Sequence, residues 1–198
     1  MGPQRMIGVR ADQVVILDRD GTMVIDRGYL ADPDGLEFLP TAPEALRWLH
    51  DRGYRLVVVT NQSGVGRGLF PIDRVEAMNA RLHEMVERAG ARLSKIYFCP
   101  HAPEANCDCR KPKLGLMEQA AAELNFDPRK SVVVGDKESD IEFGNRAGAK
   151  TVLLAAELPA SGTAATLTVP TLLQAATFIT SPRPELFEAG VFDGLQVK

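Results

Sequence analysis

Several things are scarce in this chain, and each scarcity closes off a class of explanation. No apolar run approaches the roughly 20 residues of a membrane span, and the first residues lack the apolar stretch of a signal peptide. The expected location is therefore cytoplasmic, with no membrane as partner. Aromatic residues make up only 6% of the 198, and the formal net charge is −3. A general nucleic-acid binder needs stacking faces and a basic surface, so no nucleic acid is expected as partner either. Cysteine is rare, and its three copies are an odd number that cannot close a disulfide framework. All three fall between positions 99 and 109, a grouping that in a reducing compartment points to a metal site. Internal repeats and low-complexity segments are absent. What is present is ordinary for a soluble globular domain, with 45% hydrophobic and 25% charged residues.

Four short apolar runs rich in β-branched residues read as strands buried on both faces: Val14 to Leu17, Arg55 to Thr60, Ser131 to Gly135 and Thr151 to Leu154. Leu93 to Phe98 is a further strand. Between them lie helical patterns. One opens at Thr41 and Glu44, spaced as a capping box, and closes at Gly53. A second starts at Asp73 and carries Val75, Met78, Leu82, Met85 and Val86 at helical spacing. Others cover 114–125 and 141–147. Leu167 to Val169 and Leu172 to Ile179 are a weaker strand and helix. Strands alternating with helices imply right-handed crossovers and an α/β fold, a parallel sheet covered by helices. The expected organisation is one domain over 1–180, with a loop at 99–113 inserted and a tail at 181–198. Residues 23–40, broken by Gly28, Pro33, Gly35 and Pro40, read as loop lying over the strand ends.

Three of the buried runs end in polar groups: Asp18 and Asp20, Thr60 and Asn61, and Asp136. In a parallel sheet those ends share one edge, where α/β proteins hold their ligands. Carboxylates gathered there suit a hard cation such as Mg²⁺. With Asp18 as nucleophile, Asp20 as acid and base, and Thr60, Asn61 and a lysine around the phosphate oxygens, the set fits phosphoryl transfer. The glycine-rich stretch Gly64 to Gly68 lacks a following Gly-Lys-Ser/Thr and is not a Walker loop. Cys99, His101, Cys107 and Cys109 offer four ligands within eleven residues, which fits a closed tetrahedral Zn²⁺ site of structural type. Such a site would bring Arg110 and Lys111 against the strand ends. Those two, with Lys137 and Arg67, form a local basic group, whereas Lys113 reads as a solvated cation.

Asp18-Arg19-Asp20-Gly21-Thr22, Thr60-Asn61, the later lysine and Gly135-Asp136 with Asp140 together resemble the four motifs of the haloacid dehalogenase superfamily of phosphatases. The resemblance implies a three-layer Rossmann-like fold with small cap insertions, an Asp18 nucleophile and an Asp20 acid/base. It also implies Mg²⁺ on the Asp18 and Asp136 side chains and the Asp20 carbonyl. The added Cys-x-His and Cys-x-Cys-Arg-Lys-Pro pattern is similar to a zinc-containing branch that includes heptose-bisphosphate and histidinol-phosphate phosphatases. By that resemblance Asp26, Arg27, Gly28, Tyr29, Asn61, Gln62, Ser63, Arg110 and Lys137 contact substrate, and Lys111 stabilises phosphate. The implied activity is Mg²⁺-dependent hydrolysis of the 7-phosphate of D-glycero-D-manno-heptose 1,7-bisphosphate through an aspartyl-phosphate, by a monomer acting on a small phosphorylated metabolite. The alternative is histidinol phosphate or another small phosphomonoester. The short interval from His101 to Cys107 leans toward histidinol. The basic group, and Ser63 where a cationic substrate would call for a carboxylate, lean toward the bisphosphate.

Overall fold

The structure, a computed structural model, describes residues 13–157 and 162–181. Its strands are β1 (Val14–Leu17), β2 (Arg55–Asn61), β3 (Leu93–Cys99), β4 (Val132–Gly135), β5 (Lys150–Leu154) and β6 (Leu167–Val169). The helices are α1 (Ala42–Asp51), α2 (Ile72–Arg88), α3 (Gly115–Leu124), α4 (Glu138–Arg146) and α5 (Leu172–Ile179). All strand pairs are parallel, in the order β3-β2-β1-β4-β5-β6. The chain runs outward from β1 to β3, then returns to β4 on the other side of β1 and runs outward again. That reversal opens a crevice at the carboxyl ends of β1 and β4.

Side chains alternate across the sheet, so β1 feeds two cores. Val15 and Leu17 join Leu56 and Val58 against α1, α2 and α5 through Leu46, Leu49, Met78, Leu82 and Ala176. Val14 and Ile16 join Val57, Val59 and Val133 against the opposite layer, with Leu116, Met117 and Ala120 of α3 and Phe143 of α4. All four β1 side chains are at most 1% exposed. An unbroken β-branched run is what a strand covered on both faces requires.

The weak C-terminal strand and helix form with the bounds read from sequence. Three local expectations change. Thr41 stands at the start of α1, but its backbone is already helical (φ −103°, ψ −1°) and its side chain makes no capping bond, so the capping box does not form. Helix α2 begins at Ile72 after Pro71. Helix α4 begins at Glu138, earlier than Ile141, because Asp140 Oδ2 accepts from the Lys137 backbone N–H at 3.1 Å and satisfies the first turn. Residues 23–40 hold one 3-10 turn, Pro33–Gly35, and isolated bridges from Val24 to Asp20 and Phe38. The proposed tail beyond Ser181 lies outside the described residues. Among the described residues, no helix is long and apolar enough to cross a membrane.

Candidate active site

Asp18 follows β1 directly and its backbone N–H donates to Val134 O at 3.0 Å, which fixes the strand end against β4. Carboxylate oxygens of Asp18, Asp136 and Asp140 all lie within 4.8 Å of one another. One cation is built into this cluster. Lys111, 4% exposed, directs Nζ to Asp18 Oδ1 at 2.8 Å, Asp140 Oδ1 at 2.6 Å and the Val59 carbonyl at 2.6 Å. Burial alone would lower its pKa, but the Asp18 and Asp140 charges reverse this and hold it above the ordinary lysine value. Three carboxylates against one buried ammonium leave negative charge in excess. Burial, with the Asp18 and Asp140 charges nearby, pushes Asp136 up to about 6 against the opposing pull of Lys137 and a backbone hydrogen bond. That is the donor set and charge deficit that a hard divalent cation fills, so the residues fit Mg²⁺.

Gly21 is required beside this cluster. Its φ is +84°, and a Cβ there would come within 2.3 Å of Asp136 Oδ2. Thr22 Oγ1 donates to Asp136 Oδ1 at 3.4 Å. Thr60, at the end of β2, is 1% exposed and lines the same cavity.

Above the carboxylates lies an open cavity of about 400 Å³. Asp20, Asp26, Gly28, Tyr29, Asn61, Gln62, Ser63, Arg110 and Lys137, all singled out in the sequence, contribute to its walls. Gly64, Phe70 and Ser139 line it as well and carried no signal beyond their position near motifs. Asp26 turns back on its own loop, accepting from the Gly28 backbone N–H at 2.8 Å and from Lys137 Nζ at 3.0 Å. Against its partial burial, those bonds hold Asp26 below the usual carboxylate range. Burial opposes protonation of Lys137 in turn, yet Asp26 and Asp136 hold it above the ordinary lysine value.

Other residues fall differently. Arg27 does not line this cavity: its guanidinium pairs with Glu37 at 2.7 Å on the exposed side of the 23–40 segment. Arg67 likewise faces away, toward Glu104 at 3.7 Å. Lys113 donates to Asn106 O and Oδ1, both at 2.8 Å, outside the cavity. Asn61 spends its amide on the main chain of Lys111, donating to Lys111 O at 3.2 Å and accepting from Lys111 N at 3.1 Å. Arg19, unremarked in the sequence, is 2% exposed and bonded to Asp20, Gln62 and Asn79.

Cys99, His101, Cys107 and Cys109 converge at the end of β3. Sulfur–sulfur separations are 3.3, 3.4 and 3.5 Å, and His101 Nδ1 lies 3.2 Å from Cys109 Sγ and 3.7 Å from Cys99 Sγ. A tetrahedron with Zn–S bonds of about 2.3 Å has edges of about 3.8 Å, so these ligands fit one zinc ion with slight expansion. No disulfide links them. Arg110 Nη1 donates to the His101 carbonyl at 3.4 Å, tying a cavity residue to this cluster.

Residues 108–173 match the HAD-hydrolase-like family model. The chain is 44% identical over 149 residues to a D-glycero-beta-D-manno-heptose-1,7-bisphosphate 7-phosphatase of Haemophilus ducreyi, covering 72% of this chain and 82% of that one. It is 41% identical over 152 residues to the Helicobacter pylori protein of the same name, covering 76% and 87%. Among solved structures, the D,D-heptose 1,7-bisphosphate phosphatase from B. bronchiseptica, complexed with magnesium and phosphate, superposes with a TM-score of 0.73. The two share 30% identity over 83% of this chain and 96% of that one. The Burkholderia thailandensis phosphatase of that name gives 0.62, also at 30% identity, over 86% and 100%.

Proposed function

The chain belongs to the haloacid dehalogenase-like phosphatases, in the family of the heptose-1,7-bisphosphate 7-phosphatases, and from that membership we propose that it removes the 7-phosphate of D-glycero-D-manno-heptose 1,7-bisphosphate. The observation that carries the substrate is the separation of cations in one cavity. Lys111 sits at the floor beside Asp18, with 3% of its side chain exposed, and Lys137, 54% exposed, stands with Arg110 in the outer wall. A substrate with a phosphate at each end meets a cation at each depth.

In this reading an Asp18 carboxylate oxygen attacks the phosphorus and the bond from phosphorus to the sugar oxygen breaks. Asp20 gives its proton to that leaving oxygen. Water then attacks the aspartyl-phosphate, Asp20 takes the water proton, and inorganic phosphate leaves with Asp18 restored. Lys111 and Thr60 hold the phosphoryl oxygens as charge moves across them, and Asn61 fixes Lys111 through its main chain. Asp26, Gly28, Tyr29, Ser63 and Lys137 bind the sugar and its second phosphate along with Arg110. Mg²⁺, held by the Asp18 and Asp136 side chains and the Asp20 carbonyl, would supply charge neutralisation at the transferred phosphoryl group. Cys99, His101, Cys107 and Cys109 would hold Zn²⁺ in a structural role, ordering the loop rather than taking part in the chemistry. The same reading makes the protein a cytoplasmic monomer acting on a small metabolite, with neither nucleic acid nor membrane as partner.

Phosphate release from the heptose bisphosphate and from histidinol phosphate, compared with Mg²⁺ present, tests the substrate. A preference for the bisphosphate of at least about tenfold in kcat/KM is expected, equivalent to about 1.4 kcal/mol. Preference for histidinol phosphate would overturn the substrate and leave the phosphatase chemistry standing.

A further inference from the structure

Among the described residues, the carboxyl group of Asp20 is held through one oxygen. Its Oδ2 accepts from Gln62 Nε2 at 2.8 Å and from Arg19 Nε at 3.1 Å, with Arg19 Nη2 at 2.9 Å. The orientation of the Gln62 amide is forced. Arg19 can only donate, so the group it meets at 2.8 Å through Nη2 must be the amide oxygen Oε1. The amide nitrogen therefore faces inward, and its two hydrogens go to Asp20 Oδ2 and, at 3.0 Å, to Thr60 Oγ1. Gln62 keeps no donor for substrate, although it borders the cavity. Behind this pair, Arg19 Nη1 reaches Asn79 Oδ1 at 3.4 Å on the buried face of α2. Arg19, Gln62 and Asn79 are all at most 9% exposed.

An oxygen that accepts from two N–H donors and lies against a guanidinium nitrogen cannot also carry a hydrogen without bringing donors together. A proton on Asp20 is thereby directed to Oδ1. We propose that Arg19 and Gln62 are positioning residues that select Oδ1 of Asp20 as the oxygen exchanging the catalytic proton, with Asn79 anchoring the pair to α2. The inference rests on the acid and base role given to Asp20 above. It removes Gln62 from the substrate contacts and gives it to the acid.

The test exploits the leaving group. A sugar oxygen departs badly unless protonated, whereas a nitrophenolate departs without help. Release of each is measured in a single turnover of the full-length enzyme with saturating Mg²⁺, so that the later water step does not mask the first. Gln62→Leu should slow sugar release by about ten- to a hundredfold, part of the 10²–10⁴ a positioned acid contributes, and nitrophenol release by no more than about threefold. KM for the sugar should move less than about twofold, because no substrate contact is removed. Asn79→Ala, which touches neither the cavity nor Asp20, should show the same selectivity at a smaller amplitude, and it carries the test if Gln62→Leu does not fold. Equal losses on both leaving groups, or a rise in KM alone, would overturn the proposal. Asp20→Asn separates the two layers: it should show the leaving-group selectivity in full. If it slows both substrates equally, the acid role of Asp20 fails, and the positioning inference with it. If it is selective and Gln62→Leu is not, only the positioning inference fails.

Discussion

Lys111 has no conformational freedom left to spend: two carboxylates and a carbonyl surround its ammonium, and Asn61 clamps its main chain from both sides. Replacing it with Met leaves Asp18 and Asp140 facing each other without their buried counter-charge, while Lys137 Nζ stays 3.9 Å from Asp136 Oδ2. Breaking a buried charge set by deleting one partner costs about 3–5 kcal/mol, and urea unfolding should show a loss of that order for Lys111→Met. Raising Mg²⁺ should recover part of the loss, since the cation binds the folded cluster and not the open chain. Asp18→Asn is the opposite case. It removes one negative charge from a crowded site, so stability should hold or rise in the same urea measurement, while turnover falls by at least about a thousandfold as expected for loss of a nucleophile. A variant retaining near-normal turnover would sink the nucleophile assignment. At this scale the carboxylates were legible because three buried runs end in polar groups, a repetition that one Asp-rich turn would not produce. Arg19 was not, since an arginine between two aspartates reads as a solvated counter-ion until the fold buries it. Asn79 was hidden too, as one polar residue on an otherwise apolar helix face.

The element that does most to arrange the site has little hydrophobic content of its own. Between Cys99 and Lys113 only Cys99 and Lys111 are buried, and the segment is held by ligand contacts and turns. On the proposed zinc reading its order would depend on the ion it holds, as in small metal-stapled loops. Stripping zinc with a chelator and restoring Mg²⁺ alone should therefore abolish amide-exchange protection across 99–113 while β1 and β4 keep theirs. The kinetic consequence should be unequal. Arg110 hangs on the carbonyl of His101, whereas Lys111 keeps its independent anchors on Asn61, Asp18 and Asp140. KM for a bisphosphate should rise several-fold, by roughly 1 kcal/mol of lost binding, before kcat changes appreciably. A purified protein containing no zinc, with this loop still protected, would contradict the assignment. Ligand spacing made the loop readable from sequence because residue types and intervals survive without coordinates. The Thr41 and Glu44 pair shows the limit of that logic: spacing proposes a cap, but Thr41 enters the helix with helical torsions and its hydroxyl finds no orphan N–H.

The whole molecule is expected to unfold as one unit over 1–180, and a single tryptophan makes this measurable. Trp48 lies on α1 and donates from Nε1 to Thr180 Oγ1 at 2.9 Å, just past the end of α5, while Tyr54 hydroxyl reaches the Ile179 carbonyl at 2.9 Å. Its fluorescence therefore reports whether the C-terminal helix is docked. Unbroken apolar, β-branched runs made the two-sided sheet legible from its strands alone. The pairing of α1 with α5 was not, because it joins segments more than a hundred residues apart with no pattern of their own. That pairing is continuous with the catalytic strand: Leu172, Ala175 and Ala176 share one core with Leu46, Leu49, Val15 and Leu17, and Leu17 precedes Asp18. Leu172→Ala opens a cavity in that core and should cost about 2–4 kcal/mol. With both metals saturating, Trp48 fluorescence, far-UV circular dichroism and activity should then be lost along one shared transition at lower urea. Fluorescence changing first, with activity intact, would make β6 and α5 a separable appendage. The shared core argues otherwise, since loosening α5 withdraws packing from the strand whose end holds the nucleophile.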